Sequence, residues 1–288
     1  MMGMMSQGGS KGPDPASADD PSVQMGRLFP PMDHLSPEEK SEAMERAFER
    51  LKASFDMLAK PDGTQKAPAK NCQTLKTNHP TKPSGDYWID PNGMDAKDAI
   101  LAYCDMQTGS TCIQPKPAVS HEITVMSDDK EVWVGELDTN AFDINYKADS
   151  NQMNFLQLSS SSAEQIITFH CKDTVAHLNR ANNKRHAVSL MAWNDLEIRH
   201  RGKARYLFRP LGRLPTHFHF SIFHFFNFHF RYSVLSDECQ HKKRSWAQTV
   251  FKVQSRKPAR LPIVDVQVQD FGRSSQAFKI EVGQVCFS

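Results

Sequence analysis

Residues 84–93 read SGDYWIDPNG, a run in which two large aromatic residues stand directly before a cluster of oxygen-bearing side chains. Tyr87 and Trp88 are typical of a strand that packs on a core. Pro91 and Gly93 favour a tight turn immediately after that strand. The stretch therefore predicts a strand that ends in an oxygen-rich turn.

The turn continues as MDAKDA, so that Asp90, Asn92, Asp95 and Asp98 lie close together in the sequence. Calcium prefers six to eight oxygen ligands from carboxylates, amides and backbone carbonyls, and the spacing here is not that of an EF-hand. A calcium loop is one interpretation. The other is a polar turn whose Asp and Asn side chains cap a helix beginning near residue 95, and the two roles are compatible.

The chain contains six cysteines and no CxxC pair, which disfavours a zinc site or a thioredoxin-like redox motif. An even number of cysteines favours disulfide bonds and an oxidising compartment. Spacing alone leaves every pairing of the six open. A reduced protein with buried thiols is the alternative.

The N-terminal part divides into two segments. Residues 1–36 are rich in Gly, Ser, Pro, Met and Asp without hydrophobic periodicity, which predicts a disordered, telopeptide-like linker. Residues 37–60 predict an amphipathic stalk helix, with Ser36 as its N-cap and Pro37 in its first turn. Its apolar residues follow heptad spacing: Met44, Phe48, Leu51, Phe55 and Leu58. About two heptads leave both a coiled coil and a helix packed on its own domain open.

Residues 61–71 read as a Pro/Gly/Lys linker, and residues 72–288 as one disulfide-bonded domain. Alternating or β-branched runs predict strands, among them 130–137, 151–158, 164–171, 187–193, 246–255, 261–268 and 277–287. Two segments predict helices, at 94–104 and 173–184. The predicted class is α+β, built mainly on antiparallel sheet.

Composition and motifs exclude several functions. The net charge is +2, and the basic runs NKRH (183–186) and HKKR (241–244) read as solvated loops, so no nucleic-acid footprint is expected. No apolar stretch is long enough to span a membrane, and the N-terminus lacks a secretory signal pattern. No GxSxG, HExxH or Walker-type motif occurs, and we expect a protein that is not an enzyme.

Several motifs, in order from about residue 72 to the end, resemble the C-terminal propeptide of fibrillar procollagens, the non-collagenous domain that follows the triple helix in these chains. They are NCQTLKTNHPTKPSGDYWIDPNG, YCDMQTGSTC, ITFHCKDTVAHL, YSVLSDEC and VGQVCFS. The resemblance implies a non-catalytic trimerisation domain that joins three procollagen chains and nucleates the triple helix. It also implies secretion, with assembly in the endoplasmic reticulum before release to the extracellular matrix.

The resemblance also implies roles for particular residues. The disulfides would be Cys72–Cys104, Cys112–Cys286 and Cys171–Cys239. The calcium ligands would be the side chains of Asp90, Asn92 and Asp98 with the carbonyls of Gly93 and Asp95, near a subunit interface. Tyr87 and Trp88 would anchor the preceding strand in the core. The short 115–150 segment, where the family selects partner chains, does not reveal whether trimers are homomeric or heteromeric.

The sequence departs from the family pattern at several positions. Asn78 and Asp95 stand where typical members carry the two cysteines of an interchain bond, so trimers would rest on the stalk, calcium and packed surfaces. The resemblance implies cleavage by a procollagen C-proteinase between a small residue and Asp, for which Ala18–Asp19 is the candidate bond, although such a dipeptide is common by chance. No Gly-X-Y repeat is present. Residues 207–230, rich in Phe and His, fit nothing in the family and predict an exposed, aggregation-prone insertion.

A second function remains open. Fibrinogen-like recognition modules share the look of SGDYWIDPNG and YCDMQTG, and they bind carbohydrate or protein in a calcium-dependent way. The resemblance therefore predicts a fibrinogen-like fold in the first part of the domain. The continuation GSTCIQPKP and the terminal CFS favour the procollagen interpretation.

Overall fold

The computed structural model describes residues 34–124, 132–137, 141–185, 188–199 and 232–288. The chain divides into two compact units, Met1–Pro61 and Asp62–Ser288. The predicted N-terminal linker up to residue 33, the Ala18–Asp19 bond and the 207–230 insertion lie outside the described residues. The fold below concerns the described residues only.

The first unit contains helix α1, Pro37–Ala59. Ser36 caps it, since its side chain accepts from the Glu39 backbone N–H at 3.2 Å while the Glu39 carboxylate accepts from the Ser36 backbone N–H at 2.8 Å. This reciprocal capping box satisfies two donors that a helix start otherwise leaves unpaired. Pro37 suits the first helical turn because it has no N–H to lose there.

The second unit is a mainly antiparallel β domain with three disulfides and few short helices. Its largest sheet contains the strands β1 (Gly85–Ile89), β2 (Ile100–Asp105), β3 (Ser110–Ile113), β7 (Ala163–Lys172), β12 (Tyr232–Asp237), β13 (Ala247–Ser255) and β15 (Ala277–Phe287). Their order across the sheet is β1-β2-β3-β15-β7-β13-β12. The C-terminal strand β15 therefore lies at the centre of the sheet, between β3 and β7.

Three smaller sheets complete the described strands. One has the order β11-β10-β14-β5 and two are two-stranded, β4-β6 and β8-β9. Their bounds are β4 (Pro115–Lys116), β5 (Val132–Trp133), β6 (Asn145–Tyr146), β8 (Leu178–Asn179), β9 (Lys184–Arg185), β10 (Ser189–Ala192), β11 (Glu197–Ile198) and β14 (Ile263–Val268). Helices α2 (Cys72–Asn78) and α3 (Ser150–Ser159) and four 3₁₀ turns (Ala96–Asp98, Val134–Glu136, Cys239–His241, Pro258–Arg260) join the strands of the described chain.

One continuous core connects the sheets. Strand β7 alternates strictly between buried and half-buried residues, and its buried Phe169 stacks on Phe278 of β15 at 5.2 Å between ring centroids. Gln165 of β7 connects the largest sheet to the four-stranded sheet. Its Nε2 donates to the Gly283 carbonyl of β15 at 2.9 Å, and its Oε1 accepts from the Ile263 N–H of β14 at 2.8 Å. A buried amide that uses both its ends fixes how the elements pack.

Two helix predictions and one strand prediction are wrong, and the strand predicted over 130–137 is reduced to β5, because Val134–Glu136 form a 3₁₀ turn. Residues 94–104 form a 3₁₀ turn followed by β2, because pairing with β1 and β3 outweighs local helix propensity. Residues 173–184 form β8 and turns. Residues 151–158 form helix α3, where Asp149 Oδ1 accepts from the N–H groups of Asn151 and Gln152 and starts the helix.

The start of the domain differs in detail from the sequence expectation. The segment predicted as a linker hydrogen-bonds to β1, since the Trp88 N–H donates to the Gly63 carbonyl at 2.9 Å and the Asp90 N–H to the Ala69 carbonyl at 2.8 Å. Ile89 is fully buried, whereas Tyr87 and Trp88 are half-buried. Ile89 is therefore the core anchor of β1, Tyr87 packs against the core on the same face, and Trp88 lies on the opposite face of the strand.

Candidate functional site

Three disulfides hold the domain. Cys72 of α2 bonds Cys104 of β2, Cys112 of β3 bonds Cys286 of β15, and Cys171 of β7 bonds Cys239 of a 3₁₀ turn. These are the same pairs that the family resemblance implies. The Cys112–Cys286 bond closes a sequence separation of 174 residues, so it restricts the unfolded chain more than the other two.

The oxygen-rich turn begins where β1 ends. Asp90 is buried, and its Oδ1 accepts from the Gly93 N–H at 3.0 Å. Gly93 has a φ of +66°, a backbone conformation that a residue with a Cβ adopts at a cost. The turn therefore folds back on the Asp90 carboxylate, as the Pro and Gly of the sequence indicated.

The rest of the loop is fixed by its own polar groups. Asn92 Nδ2 donates to Asp98 Oδ2 at 2.9 Å, and Asn92 Oδ1 accepts from the Met94 N–H at 2.9 Å. Asp95 caps the 3₁₀ turn, since its Oδ1 accepts from the Lys97 N–H at 3.0 Å. The capping role suggested by the sequence is thus present, on a shorter helix than expected.

Gln152 of α3 connects the loop to the core, and the sequence reasoning missed it. Its Nε2 donates to Asp90 Oδ1 at 3.2 Å and to the Asp98 carbonyl at 3.1 Å, and its Oε1 accepts from the Asn92 N–H at 3.2 Å. Its side chain is fully buried. The Asp149 cap was the available signal, because a helix starting there turns Gln152 inward with Met153 and Leu156.

The atoms with which the loop could bind a cation are side-chain and backbone oxygens. Within the residues that the structure describes, no three His, Cys, Asp or Glu side chains meet in a metal-holding group. Around Gln152 the loop instead brings together the Asp90 carboxylate, Asn92 and Asp98, with backbone carbonyls beside them. Carboxylates, amides and carbonyls are the ligands that calcium prefers, so the residues fit this ion in their chemistry.

Helix α1 presents a second candidate surface. The large apolar residues at heptad spacing are exposed, from 54% for Leu51 to 83% for Leu58, whereas the small residues Ala43 and Ala47 are buried. The complete exposed stripe is Met44, Phe48, Leu51, Phe55 and Leu58. A contiguous apolar stripe of this kind is rare on a monomer surface and marks an interaction site.

Comparison with known proteins decides the family. The model of the fibrillar collagen C-terminal domain matches residues 40–213 and 221–287. The chain belongs to the fibrillar collagen C-terminal domain family. Within the segment 207–230, which was expected to fit nothing in the family, the family model leaves out only residues 214–220 and matches 207–213 and 221–230.

The alignments with collagen relatives span most of this chain but only a small part of each relative's length. The collagen alpha-1(II) chain of Xenopus tropicalis is 36% identical over 256 residues, which is 85% of this chain and 16% of the relative. That of Gallus gallus is 34% identical over 250 residues, 82% of this chain and 26% of the relative. Collagens are structural proteins of the extracellular matrix. In the described residues, no helix has the length and apolarity to cross a membrane.

Asn78 and Asp95, which stand where the family resemblance implies interchain cysteines, are both accessible. Asn78 ends α2 and is half-buried, and Asp95 is exposed in the loop. All six cysteines of the chain are already used in internal bonds. A covalent link between chains would therefore require one of the internal disulfides to open.

Proposed function

We propose that this chain is a non-catalytic assembly domain that joins three collagen chains and nucleates their triple helix. The exposed apolar stripe of α1 carries the proposal. In a three-stranded coiled coil, residues at heptad spacing from each helix meet along the common axis. The stripe is therefore the surface on which the stalks of three chains pack.

The strength of the association follows from its chemistry. Full burial of one large apolar side chain stabilises by about 1.5–3 kcal/mol, so each stripe supplies several such contributions before the entropy of association is subtracted. No free thiol is available to make the trimer covalent, since all six cysteines are paired. Assembly is consequently reversible and depends on protein concentration.

Calcium is the cofactor of the proposed assembly. The side chains of Asp90, Asn92 and Asp98 and the carbonyls of Gly93 and Asp95 would hold the ion. A bound divalent cation supplies positive charge that neutralises the two carboxylates and cross-links the turn. Gln152 orients Asp90 and Asp98 from the core side and keeps the oxygens of the loop together without the ion.

The remaining parts of the proposal concern processing and location. The chain is secreted, assembles in the endoplasmic reticulum and acts in the extracellular matrix, in keeping with its three disulfides. Its partners are other procollagen chains and a procollagen C-proteinase that cuts between Ala18 and Asp19. Its fibrinogen-like first part serves this assembly.

A triple substitution in the stripe tests the proposal. We expect Phe48→Gln, Leu51→Gln and Phe55→Gln together to convert a trimer into a monomer, because each change removes apolar area from the packed seam. The measurement is light scattering coupled to size-exclusion chromatography of the full chain in calcium.

The matched control changes the same helix outside the stripe. Glu49→Gln with Arg50→Gln leaves the net charge unchanged and replaces two exposed residues on the face of the helix away from the seam, so the control protein should remain trimeric. If the stripe variant and the control have the same mass as the unchanged chain, the stalk does not carry the association.

A further inference from the structure

The β8-β9 hairpin and a basic run far from it in the sequence meet at one end of the β domain. Along the backbone of the hairpin, Lys184 pairs with Asn179 and Arg185 with Leu178. The run 241–244 begins at the last residue of the 3₁₀ turn Cys239–His241. Arg180, from the hairpin, joins them.

Backbone and side-chain bonds fix this meeting. The Arg180 N–H donates to the Gln240 carbonyl at 3.0 Å, and Arg180 Nε donates to Gln240 Oε1 at 2.6 Å. The Asp173 N–H donates to the Lys243 carbonyl at 2.7 Å, next to Lys172 at the end of β7. The Cys171–Cys239 disulfide joins the end of β7 to the 3₁₀ turn beside these contacts, so the turn and the strand end are held together covalently.

Lys242 has a different role from its neighbours. Its φ is +47°, and its Nζ binds Asp270 Oδ1 at 2.8 Å, with both side chains largely buried. This inward ion pair holds the segment against the core. Lys243 and Arg244 are consequently left exposed on the outside of the turn.

The surface has an excess of positive charge. Its cations are Lys172, Arg180, Lys243 and Arg244. Within the described part of the chain, no carboxylate forms an ion pair with Lys172, Arg180, Lys243 or Arg244. The acidic residues of the same segments are fewer: Asp173, which accepts from Ser275, and Asp237 and Glu238.

We propose that this basic surface binds a linear sulfated polysaccharide. Its cations are spread over a hairpin, a turn and a strand end, which suits an extended polyanion better than a single phosphate. Arginine donates paired hydrogen bonds that match the oxygens of a sulfate group. The disulfide frame fixes the segments that carry the charges before binding, which reduces the entropy lost in the complex.

The collagen setting selects this polyanion. Disulfide-bonded collagen domains meet sulfated polysaccharides in the extracellular matrix, whereas nucleic acids belong to other compartments. The residues of this surface are distinct from those of the calcium loop and the stalk, so polysaccharide binding requires neither the proposed trimer nor calcium.

Heparin-affinity chromatography of the full chain tests the proposal. We expect retention on immobilised heparin at physiological ionic strength and neutral pH. Lys243→Gln with Arg244→Gln should elute at lower salt and bind soluble heparin about tenfold more weakly, since two surface charge contacts are lost. Far-UV circular dichroism and intact disulfides must show that the variant is folded.

Charge-matched and ligand-matched controls decide the outcome. Lys66→Gln with Lys70→Gln removes the same charge from an exposed site elsewhere and should elute with the unchanged chain. Hyaluronan, which has carboxylates but no sulfate, and phosphatidylserine vesicles should bind more weakly than heparin. No retention, an equal loss in both double variants, or preferential binding to the vesicles would overturn the proposal.

Discussion

At the residue scale, the buried amide of Gln152 sets the geometry of the loop that is proposed to bind calcium. It hydrogen-bonds Asp90, Asn92 and Asp98 from a single position on α3. None of these partners is near it in the sequence, so only the folded chain reveals the connection. The loop residues themselves were predictable because turn-forming and oxygen-bearing residues adjoin in SGDYWIDPNG.

Removing Gln152 should weaken the loop and its response to calcium. We expect Gln152→Leu to lower the free energy of unfolding by about 2 kcal/mol, since it leaves the partners of three hydrogen bonds unsatisfied, among them the buried Asp90 carboxylate. Calcium should then raise the melting temperature less than in the unchanged chain. Differential scanning calorimetry with calcium and with chelator measures both effects.

Gln157→Leu is the control on the same helix. Gln157 is also buried, but its Nε2 donates to the Leu261 carbonyl at 2.8 Å, away from the loop. This variant should lose stability and keep its full calcium response. A reduced calcium response in both variants would mean that Gln152 acts only through general stability.

Asp265 links the stability of the second sheet to pH. Burial raises the pKa of its carboxyl to about 6, the carboxylates of Glu136 and Asp143 add to the rise, and the N–H groups of Gly135 and Val266 oppose it. Since the folded pKa is above the ordinary value, its stabilising contribution is present below about pH 4. That contribution is lost as the pH rises through about 6.

Asp265→Asn should remove this dependence. We expect the variant to be more stable than the unchanged chain by about 2 kcal/mol at neutral pH and nearly equal to it near pH 4. Urea unfolding at several pH values provides the comparison. Asp143→Asn, which removes only an exposed neighbouring charge, should have a smaller effect, and a parallel pH profile for unchanged and Asp265→Asn proteins would disprove the link.

At the scale of the element, helix α1 was predicted correctly from its sequence, whereas the α3 segment was predicted as a strand. For α1 the cap, the proline and the apolar period all indicate the same structure, which local rules can predict. In α3 the buried residues are Gln152, Met153, Leu156 and Gln157. Because two of the buried residues are glutamines, the apolar residues do not follow a helical period. The exposed Phe155 and Leu158 instead give the alternating apolar pattern of a strand.

The capping box of α1 yields a prediction for the stalk. Ser36→Ala should destabilise the helix by about 1 kcal/mol, because the Glu39 N–H loses its acceptor. Amide hydrogen exchange in the first turn of α1 should accelerate by about fivefold. Ser41→Ala, which changes an exposed serine inside the same helix, should not accelerate exchange, and equal protection in both variants would show that the cap is unimportant.

Strand β2 shows the opposite conflict between local and tertiary preferences. Its segment contains good helix formers, yet Ile100, Ala102 and Cys104 alternate inward and Cys104 bonds Cys72. Pairing with β1 on one side and β3 on the other supplies backbone bonds that a local helix would forgo. Neighbouring strands are invisible to a pattern read along one segment.

For the whole molecule, the long strands β7, β13, β14 and β15 follow from their alternation, but their order does not. The C-terminal strand lies between β3 and β7, a placement that requires contacts across nearly the whole domain. Only the Cys112–Cys286 pairing, implied by the family resemblance, indicated that the chain end returns to its beginning. Long-range pairing of this kind is a property of the complete fold.

Sedimentation equilibrium of the full chain, in calcium and in chelator, tests trimeric assembly most directly. We predict a monomer–trimer equilibrium in calcium that shifts towards monomer as the protein is diluted and when calcium is removed. A strict monomer at every concentration in both conditions would contradict the assembly function.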